Sequence, residues 1–181
     1  ACATVRNLLD FTRKDQPVFT TVSVNDALQS TLNLLGNELS LGQVELELEL
    51  GENLPLVAAN PRHLQQLFLN LLLNAVDAMP EGGPLKVRSE VDKDGWVRVD
   101  VADSGVGIPE ENLDKIFDPF FTTKEPGRGT GLGLSVSFGI AEQHGGRITV
   151  QSRPGAGTTF SVFLPRAKDQ PSKRSEERER P

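Results

Sequence analysis

Five polar residues, His63, Gln66, Asn70, Asn74 and Asp77, recur every three or four positions through an otherwise apolar stretch, so in a helix they stack along one face. A stripe turned to water would ordinarily use Lys, Glu or Arg, and each asparagine costs about 0.6 kcal/mol of helix propensity relative to alanine. Two asparagines one turn apart therefore read as oxygen ligands or hydrogen-bonding groups as readily as a solvated face. Further on, Val97, Val99 and Val101 share one face of a strand by period two, and Asp103 continues that face. A carboxylate buried there without a partner costs several kcal/mol, so it needs a specific donor. The turn Asp103-Ser104-Gly105-Val106-Gly107 follows, and its lack of side chains would let a flat ligand approach the backbone. Thr158 heads a final strand with Phe160, Val162 and Leu164 on one face, which sets Thr158 and Asp103 at the same edge of one pocket. Each has an ordinary structural reading as well, since Asp often opens turns and Thr is common in strands.

A second glycine run, Gly127-Arg128-Gly129-Thr130-Gly131-Leu132-Gly133, precedes an apolar helix containing Leu134, Val136, Ile140 and Ala141 that stops at Gly145-Gly146. Free N–H groups at such a helix start, with the helix dipole, suit phosphate. The run lacks the Lys-Ser/Thr of a P-loop and the G-x-G-x-x-G spacing of a dinucleotide fold, so alone it is a weak signal. Between the two glycine clusters lies Ile116-Phe117-Asp118-Pro119-Phe120-Phe121, then Thr122, Thr123 and Lys124. The phenylalanines read as core, or as anchors of a mobile cover whose Lys124 and Arg128 reach a polyphosphate.

The positioning elements follow from punctuation and period. Val5, Leu8 and Leu9 have helical spacing in a run ending near Lys14, too brief to stand alone. Gln16-Pro17 breaks it; Ser23 and Asp26 then form a capping-box pattern before Leu28, Leu32, Leu35 and Leu39, one stripe of a second helix. Val44, Leu46, Leu48 and Leu50 alternate with Glu45, Glu47 and Glu49, a half-buried strand whose glutamates form a solvated face. Asn60-Pro61 starts the helix that carries the polar line and runs to about Met79; its apolar residues exceed one stripe, which predicts extensive burial. Strands at Leu85–Val91 and Trp96–Ala102 are joined through Asp94-Gly95, a hairpin signal.

Composition narrows the function classes. The 181 residues, 37% hydrophobic and 24% charged, fit one soluble domain with short extensions. No stretch approaches the roughly 18 apolar residues of a bilayer span, and no basic-then-apolar leader opens the sequence. A single cysteine, Cys2, excludes an internal disulfide, and two distant histidines, His63 and His144, argue against zinc. The net charge of −6 argues against nucleic acid. The stretch 166–181 is charged and nearly free of apolar residues, which predicts a disordered tail. Without it the net charge is −8, so an anionic phosphate ligand calls for a cation or local donors, with magnesium the natural cation.

Four of these segments, in order, resemble the catalytic, ATP-binding domain of sensor histidine kinases, within the wider group shared with gyrase, a heat-shock chaperone and mismatch-repair ATPases. Asn70-Leu-Leu-Leu-Asn74-Ala75 resembles the asparagine box and Asp103-Ser-Gly105-Val-Gly107 the first glycine box. Phe117-Asp-Pro-Phe120-Phe121 resembles the phenylalanine box, and Gly129-Thr-Gly131-Leu-Gly133-Leu134 the second glycine box. The close, Gly157-Thr158-Thr-Phe160 through Leu164-Pro165, also fits, and Pro119-Phe-Phe-Thr-Thr-Lys124 with its short lid resembles the nitrogen-regulation and dicarboxylate-sensor branch.

The resemblance implies a two-layer α/β sandwich, a mixed, mostly antiparallel sheet covered on one face by about three helices, with ATP between helices and a short lid. It assigns Asn74 to magnesium and the phosphates, with Asn70 and Asp77 beside it, and Asp103 to the exocyclic amine of adenine. Thr158 would support Asp103 or the base through water; Gly105, Gly107 and Ile108 would lie against the adenine with Leu132. Gly129, Thr130, Gly131, Leu132 and Gly133 would hold phosphates through their backbone. Two departures stand out. Many such kinases have a basic residue where this chain has Asp77, so Lys124 and Arg128 become the candidates to meet the phosphate charge. Hydrolysing relatives carry a glutamate general base where this chain has Asn70, so efficient ATP hydrolysis is not expected.

The implied reaction is transfer of the γ-phosphoryl group to a histidine on a dimerisation helix, then to an aspartate of a response regulator receiver domain. No acceptor motif H-E-[LI]-[RNK]-x-P occurs, so the chain alone is expected to be inactive for want of its acceptor. His63 reads as a capping or partly buried structural residue and His144 as a partner of its helix end. By resemblance, residues 1–14 are the end of the dimerisation helix, 15–165 the catalytic domain and 166–181 the tail. A cytoplasmic location with no membrane contact by this piece follows, leaving open whether a parent protein is anchored. The competing reading is a nucleotide-binding signalling module that orders its lid without transfer; an anti-sigma-type serine kinase lacks a comparable phenylalanine box.

Overall fold

The structure, a computed structural model, describes residues 18–124 and 129–167. The expected helix end before residue 15, Arg128 and the tail from 168 onward lie outside the described residues. The core is a five-stranded sheet in the order β2-β4-β5-β7-β6. Its strands are β2 (Val44–Leu50), β4 (Gly83–Val91), β5 (Val97–Asp103), β6 (Arg147–Ser152) and β7 (Thr158–Leu164). Only β2 and β4 run parallel, so the sheet is mixed and mostly antiparallel, as expected.

Alternation decides which face is covered. Leu85 and Val87, then Val97, Val99 and Val101, then Phe160, Val162 and Leu164 are all buried beneath the helices. The intervening Lys86, Arg88, Arg98 and Asp100 form an open, ion-paired outer face, with Arg147 and Arg98 lying over the Phe163 ring. The helical layer consists of α1 (Val24–Leu34), α3 (Pro61–Ala78) and α5 (Gly133–Gln143), with short turns of helix at α2 (Gly36–Leu41) and α4 (Glu110–Leu113). Helix α3 packs between α1 and α5 and against β5, which is why its apolar residues exceed a single stripe. Asn60 caps it by accepting from the N–H groups of Arg62 and His63, with Pro61 in the first turn.

Three local features differ from the expected elements. The leucine stripe is split into two helices, because Leu35 leaves helical geometry (φ −92°, ψ 1°) just before Gly36. Leu28, Leu32, Leu35 and Leu39 are nevertheless all buried, so the stripe identifies the core correctly across the break. A small antiparallel pair, β1 (Thr20–Val22) with β3 (Val57–Ala59), has no clear sequence signal, since neither strand exceeds three residues. Finally, Arg166 and Ala167, expected in the tail, are tied to that pair: Arg166 bridges Val57, and the Ala167 N–H donates to the Leu56 carbonyl.

Candidate functional site

A cavity of about 850 Å³ opens between α3, α5, the turn after β5 and the residues Pro119 to Lys124 and Gly129 to Gly133. The end of the sheet supplies its floor. Strand register sets Asp103, last in β5, opposite Thr158, first in β7. The period-two argument for Asp103 is thus carried through: the carboxylate is 9% exposed and sits at the cavity wall beside Thr158.

The donors that Asp103 needs come first from the protein's own backbone. Its Oδ1 accepts from the N–H of Gly105 at 2.9 Å and from the N–H of Thr158 at 3.2 Å. Its Oδ2 has no hydrogen-bond partner among the described residues. Burial raises the Asp103 pKa above the ordinary aspartate value, against the pull of these two donors and of its own backbone N–H. The result is a fixed carboxyl with one oxygen anchored and one unspent. The Thr158 hydroxyl pairs with Ser152 Oγ at 2.9 Å, so the direct link from Thr158 to Asp103 is its backbone N–H.

The glycines of the first box are required by packing. A Cβ on Gly105 would lie 2.2 Å from the Ala78 carbonyl oxygen at the end of α3, and one on Gly107 (φ +70°) would lie 2.1 Å from that of Arg153. The missing side chains therefore admit the chain's own backbone at these two positions. Gly107 and Ile108 still line the cavity, whereas Gly105 is not among its lining residues.

The polar line of α3 divides. Gln66, Asn70, Asn74 and Asp77 line the cavity with Leu73 and Ala78, while His63 turns toward His144, ring centroids 5.8 Å apart. Asn70 spends its amide NH2 on α5, donating to the Gly133 carbonyl at 3.0 Å and to Ser137 Oγ at 3.3 Å. Asn74 makes no hydrogen bond among the described residues. A Cβ on Gly133 would meet Asn70 and Asn74 at 3.8 to 3.9 Å, ordinary van der Waals contact, so both asparagines lie against the start of α5. No side chain caps α5, and Gly133, Leu134 and Ser135 of its first turn line the cavity, leaving uncapped N–H groups where an anion would sit.

The cover is joined at its two ends. The Phe120 N–H donates to the Gly131 carbonyl at 2.9 Å, both residues hold positive φ (69° and 65°), and a Cβ on Gly131 would meet the Phe120 carbonyl carbon at 2.4 Å. Phe117 anchors this segment against Phe138, while Phe120 is 73% exposed. Gly129, Thr130 and Leu132 complete the wall. Lys124 lines the cavity with its ammonium group donating to Asp77 Oδ2, so it meets a carboxylate of α3.

The structure thus gathers every expected site residue that it describes except Gly105. It adds Gln66, which the polar line had already flagged, and Asn112 of α4, for which spacing carries no signal. Among the described residues no group of three or more His, Cys, Asp or Glu could hold a metal. The Asn74 amide oxygen, unpartnered among the described residues, is an oxygen donor of the kind magnesium takes when phosphates and water supply its other ligands. No helix of the described residues is long and apolar enough to cross a membrane.

His144 shows what its position beside two glycines means. It is 1% exposed; its Nε2 accepts from the Asn60 N–H at 3.1 Å, so Nδ1 carries the proton donated to the Ile140 carbonyl at 2.7 Å. Burial lowers its pKa, the Ile140 bond opposes this, and His63 adds to the lowering. It therefore satisfies the end of α5 as a neutral ring rather than as a cation facing a dipole.

Comparison with known proteins agrees with this geometry. Residues 59–168 match the model of the histidine kinase-, DNA gyrase B- and HSP90-like ATPase family. Sensor kinase CckA of Brucella abortus is 41% identical over 180 residues, covering 92% of this chain and 19% of the relative. Sensor histidine kinase ZraS of Escherichia coli is 38% identical over 161 residues, covering 89% of this chain and 34% of the relative. The chain therefore spans about a fifth to a third of these curated relatives. Among solved structures, the catalytic domain of histidine kinase ThkA has a TM-score of 0.73 at 38% identity, covering 82% of this chain and 96% of that one. Full-length ShkA in complex with AMPPNP has a TM-score of 0.78 at 27% identity, covering 90% and 35%. ThkA in complex with the response regulator protein TrrA has a TM-score of 0.75 at 30% identity, covering 92% and 47%. The chain belongs to the histidine kinase-, DNA gyrase B- and HSP90-like ATPase family, as an ATP-binding catalytic domain of the sensor histidine kinase type.

Proposed function

We propose that this domain positions ATP and magnesium for transfer of the γ-phosphoryl group to a histidine on the dimerisation helices of its parent protein, from which a response regulator receiver domain takes it. The observation that carries the reading is Asp103: an anchored carboxyl whose second oxygen is unspent, at the wall of a cavity otherwise lined mostly by apolar and neutral residues. That oxygen accepts from the exocyclic amine of adenine, with Ile108 and Leu132 flanking the base. Thr158 fixes the carboxyl through its N–H. The uncapped start of α5 and the backbone of Gly129 to Gly133 receive the phosphates, and Asn74 offers its amide oxygen to magnesium. Bound magnesium supplies charge neutralisation for the phosphates. Lys124, which lines the cavity, is the candidate cation to meet the phosphate charge, with Arg128 the second candidate.

Asn70 positions without touching phosphate through its NH2, which is committed to α5. With an amide at this position and no carboxylate, the site has no general base one turn before Asn74, which supports transfer over hydrolysis. The complexes of ShkA with AMPPNP and of ThkA with TrrA support the nucleotide and regulator parts of the reading.

The test mixes this chain with a separately purified dimerisation domain of a close relative and labelled ATP. Phosphohistidine on the added domain, absent with either component alone, is expected. Nucleotide binding with no phosphohistidine would refute transfer and leave a binding module.

A further inference from the structure

Among the described residues that line the cavity, the ionisable side chains are Asp77, Asp103 and Lys124. Lys124 is thus the one cation of the described wall, and it is already engaged, its ammonium group donating to Asp77 Oδ2. Asp77 occupies the last turn of α3, where the peptide dipoles leave partial negative charge and no basic residue is present. A carboxylate is out of place there on its own account, and the lysine of the lid is what offsets it. Both partners retain substantial exposure, 35% for the Lys124 side chain and 52% for that of Asp77, so water screens the pair and it is readily exchanged.

We propose that Asp77 and Lys124 form an exchangeable ion pair that moderates the affinity of phosphate-bearing ligands alone: a triphosphate takes Lys124 from Asp77, whereas a nucleoside leaves the pair intact. This inference rests on the ATP reading and deepens it. A phosphate oxygen is an acceptor at least as strong for an ammonium group as a carboxylate, and the triphosphate carries several charges to the carboxylate's one. Exchange therefore runs toward the ligand only where phosphates reach the lid. Breaking the pair opposes part of the phosphate interaction, and the freed carboxylate then repels the same phosphates. Both effects make Asp77 a weight against triphosphate that adenosine does not feel. Asp77 is a positioning residue here, acting through Lys124.

Isothermal titration of the 181-residue chain with ATP and with adenosine, in EDTA so that no divalent cation mediates, tests this. Asp77→Asn is expected to tighten ATP roughly two- to tenfold and to leave adenosine unchanged, the range set by a screened pair plus released repulsion. Lys124→Met is expected to weaken ATP alone. In the Lys124→Met background, Asp77→Asn should recover less than half of its logarithmic gain. Unchanged or weaker ATP binding by Asp77→Asn, with adenosine still bound, would overturn the exchange and leave the ATP reading standing. So would an undiminished gain in the Lys124→Met background, which would make Asp77 a plain repulsive charge. Failure of the unaltered chain to bind either ligand would overturn the ATP reading and the exchange together.

Discussion

Replacing Asp103 by asparagine separates ligand recognition from folding. Only Oδ1 is used internally, taking the N–H groups of Gly105 and Thr158, and an amide oxygen can accept both. The change falls on the other atom, where an NH2 donor replaces the unspent Oδ2 and opposes the adenine amine. Loss of a charge-assisted hydrogen bond costs about 1.5 to 3 kcal/mol, roughly a ten- to hundredfold drop in ATP affinity. Stability moves the other way. Burial raises the Asp103 pKa above its ordinary 3.8, so between 3.8 and the raised value the native chain binds more protons than the unfolded one. The ionised carboxyl accordingly detracts from stability as pH rises through that window. The asparagine variant should melt at a higher temperature than the parent at neutral pH, and the difference should shrink as pH falls toward 3.8. Calorimetric titration with a nonhydrolysable ATP analogue, paired with thermal melts across pH, measures both. Unchanged affinity, or an equal loss for inorganic triphosphate, would remove Asp103 from base recognition; a variant less stable at neutral pH would refute the charge argument.

Three further changes distinguish roles within the same walls. Asn74→Ala should abolish the magnesium-dependent part of ATP binding while sparing binding in EDTA, as read by titration with and without the metal. Asn70→Ala removes the tie from α3 to Gly133 and Ser137 and should cost about 1 to 2 kcal/mol in chemical denaturation. His144→Gln loses either the bond from the Asn60 N–H or the ring N–H bond to the Ile140 carbonyl, which keeps the His144 backbone N–H, and should cost about 1 to 3 kcal/mol at neutral pH. Because burial lowers the native pKa of His144, its stabilising contribution is present above the ordinary 6.5 and lost as pH falls through the depressed value, so the variant should also show a flatter melting profile on acidification.

Much of this molecule is legible one segment at a time. The parity of Val97, Val99, Val101 and Asp103 places the carboxylate on the buried face before any neighbour is known, because strand side chains alternate whatever the strand pairs with. Asn60-Pro61 starts α3 for an equally local reason, since a cap satisfies N–H groups two and three residues away. The ordered boxes and their glycines identify the family, and the family implies the sheet, the helices and the nucleotide cavity.

What the sequence leaves open are the partnerships between distant segments. Asn70 and Asn74 are indistinguishable by type and spacing, yet only the packing of α5 across 63 residues commits Asn70 to Gly133 and leaves Asn74 unbonded. That Gly105 and Gly107 also make room for the carbonyls of Ala78 and Arg153 is visible only in the folded chain. The pairing of Asp77 with Lys124 spans 47 residues and two elements. Local energetics are written in short windows of sequence, through dihedral preference, capping and periodicity. Which donor meets which acceptor depends on the register of β5 with β7 and on how α3, α5 and the lid converge, and the tertiary structure decides that.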